Sequence, residues 1–209
     1  MGFFEPPPPP PEPPEPHRQP VWLGPPENEL GVAVPVPVLL VGTDELAIGL
    51  TGVVAYSSGL QLHVELRRRT EPDDLDVMHA HMRRRHARGG EIAPEVLRFG
   101  VQLADGRKAT NLDLRPWSLG EEPAGPLLVE RGGGGGGRAW SFGYWLWPLP
   151  PPGTLTVAVE WPAAGVQLTT HGLDAAPLLE AAARSHPLWP DGDPSPGSGW
   201  ISAHTTRLS

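Results

Sequence analysis

The chain has 209 residues, a formal net charge of −8 and no cysteine. That excludes disulfides, thiolate metal sites and cysteine nucleophiles, and the acidic balance disfavours nonspecific binding to nucleic acid or anionic membranes. Proline (29) and glycine (26) make up about a quarter of the residues, which argues against a helical bundle because both are poor in helix interiors.

Residues 1–20 hold ten prolines, including the run Pro6 to Pro11. A proline run has no N–H donors for a helix or a ladder, so the expectation is a disordered tail of polyproline II character. Phe3 and Phe4 ahead of it are candidate docking residues on a semi-rigid spacer. The first five residues lack the basic and apolar regions of a secretory signal, and no apolar run is long enough to span a membrane. A cytoplasmic location is the expectation.

One domain is expected over residues 21–188. Trp22 and Leu23 open it, with Trp22 covering an edge of the core. Residues 32–42 are β-branched but carry Pro35 and Pro37, which suits an edge strand. Residues 45–56 and 60–67 alternate apolar and polar around Ser57-Ser58-Gly59 and predict a hairpin. The stretch 68–93 is rich in Arg and His and poor in large apolar residues, so it reads as a mobile excursion from the sheet. Residues 96–103 return to period two, and Asp105-Gly106 predicts a tight turn into a strand over 108–114. A short strand is expected over 126–130, then a glycine loop over 132–137.

Residues 138–147 carry aromatics on both faces: Trp140, Phe142 and Tyr144 on one, Trp145 and Trp147 on the other. Such a strand is central to a sheet or forms a contact surface. Two arrangements suit Trp145 and Trp147: an exposed patch for a partner, or burial beneath a C-terminal helix. Strands follow over 154–161 and 165–169. Asp174 reads as the N-cap of a helix over 175–186. Residues 189–209 are expected to be a disordered tail. Seven to nine short strands with frequent turns and one late helix predict a mostly all-β fold, an antiparallel β-sandwich, with a β-barrel as the alternative.

The candidate chemical motifs are weak. The glycine run lacks the Lys and hydroxyl that a phosphate loop needs after it. His79, His81 and His86 share a segment with Arg83, Arg84 and Arg85, and that positive charge opposes a metal ion. Seven arginines against four carboxylates make residues 67–90 locally basic, but no aromatic lies among them to stack on a base. No pairing of nucleophile and base stands out. The reading assigns no catalytic residue, no metal and no cofactor.

Residues Trp22 to Asn28, Phe99 to Asn111 and Trp145 to Pro162 together resemble a family of uncharacterised proteins from high-GC Gram-positive bacteria. The resemblance spans about residues 20–190 and implies no activity or site residue. The functional expectation is a non-catalytic protein-interaction module with a protein partner and neither nucleic acid nor membrane. Its candidate contact residues are Phe3, Phe4, Arg138, Trp140, Trp145 and Trp147. The alternative is a small-ligand binder or enzyme, with a site between the glycine loop 132–137 and the segment 79–88.

Overall fold

The computed structural model describes residues 19–71, 92–113 and 122–189. Two sheets, antiparallel throughout, face each other across one apolar core. The larger is built on the predicted hairpin. β4 (Leu46–Tyr56) and β5 (Gly59–Arg68) pair from Tyr56↔Gly59 to Leu46↔Arg68. The outer edge of β4 carries β2 (Val32–Val34) and, beyond the two prolines, β3 (Val38–Gly42). The interruption at Pro35 and Pro37 therefore falls on an edge, where missing donors cost little. On the other side β5 pairs with β9 (Ala139–Trp147), and β9 with β8 (Leu127–Gly136).

The smaller sheet has the order β11-β10-β6-β7. Its strands are β6 (Arg98–Gln102), β7 (Lys108–Thr110), β10 (Thr154–Trp161) and β11 (Val166–Asp174). The Asp105-Gly106 turn joins β6 to β7 as predicted, with Asp105 accepting from both the backbone N–H and the guanidinium of Arg107. Eight strands of five or more residues and two open-edged sheets make a sandwich rather than a closed barrel.

Alternation decides which side chains enter the core. Leu60, Leu62, Val64 and Leu66 of β5 face Leu155, Val157, Val159 and Trp161 of β10, and all are buried. Each such side chain removed from water contributes on the order of 1.5–3 kcal/mol. Phe99 stacks on Tyr144 across the two sheets at 4.6 Å between centroids. At one end the Arg68 guanidinium lies over the Trp161 ring, 5.1 Å from its centroid. Asn111 is the sole buried polar residue among those described. Its Nδ2 donates to the Leu97 carbonyl and its Oδ1 accepts from the Phe99 N–H, both at 3.0 Å.

Several boundaries differ from the sequence expectation. β11 runs on to Asp174 instead of ending at 169, because pairing with β10 continues from Trp161↔Val166 to Thr154↔Asp174. The helix, α1, is shorter: Ala176–Ala182 rather than 175–186. Asp174 does accept from the Ala176 N–H at 3.0 Å. The helix stops early because the next residues are taken up elsewhere. His186–Pro187 (β12) pairs with Glu29–Leu30 (β1). Beside that pair Asn28 Nδ2 donates to the Trp189 carbonyl and its Oδ1 accepts from the Trp189 N–H.

Of the segment expected as an excursion over 68–93, Arg68 belongs to β5, and residues 72–91 lie outside the described part. So does most of both tails.

Candidate partner-binding surface

β9 organises the candidate residues. Its core-facing row is Trp140, Phe142, Tyr144 and Leu146, all buried and all in the shared core. Trp145 and Trp147 point to the opposite face, as the alternation predicts. They are nevertheless buried, at 0% and 8% exposure. Of the two arrangements open to Trp145 and Trp147, the exposed patch is therefore ruled out, and Trp140, also a candidate contact residue, is buried on the core side.

The expected cover is corrected as well. α1 packs against β4 and β2, with Leu178, Ala181 and Ala182 buried there. The lead-in segment covers the tryptophans instead. Trp145 Nε1 donates to the Val21 carbonyl at 2.9 Å, and the Trp22 ring meets the Trp147 ring edge-on at 6.2 Å. Tyr56 closes the other flank, 5.7 Å from Trp145 and also edge-on. Gly59 lies directly below. A Cβ there would sit 2.6 Å from the Trp145 ring, so only glycine lets the indole lie flat on the hairpin.

Glycines 132–136 form no loop. They continue β8, paired with β9 from Gly133↔Phe142 to Gly136↔Ala139. Gly137, at φ +53°, and Arg138 make the two-residue connection, and positive φ at that place favours glycine. Two of the glycines have a steric reason. A Cβ on Gly133 would stand 2.8 Å from the Ser141 carbonyl, and one on Gly135 would collide with the Ala139 carbonyl. Gly134 and Gly136 have none, since nothing lies within 4 Å of the place their Cβ would take.

Among the described residues β8 is also the last strand of its sheet. Its ladder partner β9 lies on one side only, so one row of backbone donors and acceptors faces away from the sheet. A bulge between Glu130 and Gly133 sets off the glycine stretch from the rest of the strand. Arg131 and Arg138 bracket the stretch, and both are exposed. Arg131 Nη2 donates to Gln19 Oε1 at 3.3 Å, and Arg138 Nη1 to the Arg69 carbonyl at 3.4 Å. Neither guanidinium meets a carboxylate among the described residues. On the outward face Gly134 and Gly136 stand beside Ser141 and Ala139, and beyond those lie Glu65 and Arg67, which pair at 2.6 Å.

Two further groups carry perturbed acidity. Burial, and then the Glu29 carboxylate, push the Tyr56 hydroxyl above its usual range. Hydrogen bonds from Arg107 hold Asp105 below its own. Both groups sit at or beside turns. Phe3, Phe4, His79, His81 and His86 lie outside the described residues. Among those described, no three His, Asp or Glu side chains converge as metal ligands. No helix there is long and apolar enough to cross a membrane.

No family model matches the chain, and no curated protein or solved structure matches it either. The reading of the surface therefore stands on its geometry.

Proposed function

We propose that this protein is a non-catalytic, cytoplasmic interaction module that holds a protein partner along the free edge of β8. One observation carries the reading. An edge strand bears glycines at Gly134 and Gly136 that no steric contact demands, although glycine weakens a strand interior. Edge strands are ordinarily guarded by lysine, proline or inward-pointing charge. Residues 132–136 have none of these, and nothing among the described residues lies within 4 Å of the Cβ places of Gly132, Gly134 and Gly136, so another backbone can approach there without displacing a side chain.

The ligand-binding alternative has less support. It calls for Arg138 or the histidine segment to converge on a buried carboxylate. The one buried polar side chain among the described residues is Asn111, and its amide is spent on the backbone of Leu97 and Phe99. The tail residues Phe3 and Phe4 remain a second candidate anchor for the same partner.

The test is affinity capture from the native host with three baits: the full chain, the chain lacking residues 1–20, and the Gly134→Asp variant. A partner kept by the shortened bait and lost from the Gly134→Asp bait is the expected outcome. Capture that needs only the tail, or capture of nothing, overturns the assignment to β8.

A further inference from the structure

We infer that the segment received at this edge is an extended strand of another protein, carrying carboxylates about seven residues apart. This rests on reading the domain as an interaction module and specifies what the module recognises.

The free row of β8 donors and acceptors can be satisfied in register only by another extended backbone, as in strand addition to a sheet. Such pairing draws affinity from main-chain hydrogen bonds and leaves selectivity to the side chains at the margins. Arg131 stands at one margin and Arg138 at the other, where the Glu71 carboxylate also approaches Gly137. Arg131 and Arg138 stand seven positions apart, a span of at most roughly 23 Å, since a bulge follows Glu130 and Arg138 lies in the turn after β8. Both are exposed and neither has a carboxylate partner among the described residues, in a chain whose net charge is −8. Two exposed arginines, neither in an ion pair among the described residues, complement an anionic residue at each end of the incoming strand.

The same charges disfavour two other occupants. A second copy, antiparallel in the register that overlaps all six glycines, sets Arg131 against Arg138 twice, and like charges directly opposite destabilise a pair. The chain's own proline-rich tail lacks the N–H groups a ladder needs. What the glycines leave open suits bulk on the incoming strand: β-branched residues would fill the space above Gly134 and Gly136, where no Cβ stands.

The experiment titrates three eight-residue peptides into the full-length protein. They are Asp-Val-Thr-Val-Thr-Val-Thr-Asp, the same sequence with Lys at both ends, and the acid-ended sequence with Pro in place of all six inner residues, which leaves no inner N–H on either side of the strand. Affinity is read by calorimetry, and amide exchange is followed across residues 132–137. The expected result is at least tenfold tighter binding of the acid-ended peptide than of its lysine counterpart, with the glycine amides slowed at least tenfold. The proline peptide does not bind. In the R131E/R138E double variant the preference between acid and lysine ends inverts. The inference fails if the glycine amides exchange at the free rate under saturating peptide, if the end charges make no difference, or if the protein alone protects those amides as its concentration rises. The last result would assign the edge to a second copy. A host partner that is captured through β8 while the acid-ended peptide shows no preference would remove this inference and leave the module reading standing.

Discussion

Trp145 and Val21 lie 124 positions apart in the chain and are joined by one hydrogen bond, from the indole Nε1 to the carbonyl oxygen at 2.9 Å. Through it the segment before the first strand becomes the roof over the outward face of β9. The bond satisfies the polar tip of a fully buried tryptophan, which would otherwise be left without a partner.

Removing the roof therefore exposes two indoles. Deletion of residues 1–24 is expected to shift tryptophan emission to longer wavelength and to raise binding of a hydrophobic dye. Trp145→Phe, which keeps a ring but loses the donor, should cost about 1–3 kcal/mol in urea denaturation because the Val21 carbonyl loses its partner. Trp145→Ala should cost about 3–5 kcal/mol. An unchanged emission maximum after the deletion would show that Val21 and Trp22 do not shield these rings.

Four of the five glycines of β8 divide into two pairs with opposite expectations. Gly134→Ala and Gly136→Ala meet open space and should raise stability by about 0.4–1 kcal/mol each, by narrowing the unfolded ensemble. Gly133→Ala and Gly135→Ala press on the carbonyls of Ser141 and Ala139 and should lower it. Thermal midpoints of the four single variants check this, and a uniform sign across all four would contradict the geometry.

Asn111 bridges two backbone groups at the start of β6. Asn111→Leu keeps the bulk but strands the Leu97 carbonyl and the Phe99 N–H in the interior. Each costs about 1–3 kcal/mol when unsatisfied. Asn111→Asp retains the acceptor, loses the donor and buries a charge, so it should be at least as damaging. Equilibrium denaturation of both variants measures the difference.

Tyr56 sets an alkaline limit. Its folded pKa is raised, first by burial and then by Glu29, so the native state favours the neutral phenol. The contribution is complete below the unfolded value near 10 and declines as pH rises from there through the folded value. Tyr56→Phe should flatten the loss of stability above pH 10. Glu29→Gln should bring the Tyr56 titration, followed by ultraviolet absorbance, to lower pH. A slope identical in wild type and Tyr56→Phe would remove Tyr56 as the cause.

Much of the fold was legible because alternation is a local signal. Residues 60–67 announce one wet and one dry face, and β5 has them. Asp105-Gly106 announces a turn, and the two sides of β9 follow from simple parity at Trp140 and Trp145. The glycine strand was not legible, since glycine is depleted in strands and enriched in loops. β8 persists through it because the neighbouring β9 supplies the ladder and two of the glycines must let its carbonyls approach. The identity of the roof over Trp145 was hidden for another reason. Parity tells which way a side chain points, while what lies beyond it depends on contacts between residues more than a hundred positions apart. The cover came from Val21 and Trp22, though α1 had the more recognisable apolar stripe. The sequence singles out Arg138 but not Arg131, because only the edge position of β8 places both at the margins of the glycine stretch.

The clasp of Asn28 on Trp189, with the two-residue sheet of β1 and β12 beside it, has a mechanical meaning. Val21 and Trp22 lie near one end of the described body and Trp189 at the other, and both ends are held by short contacts rather than by the long ladders of β4, β5 and β9. Tension between those ends is expected to load these contacts before the ladders.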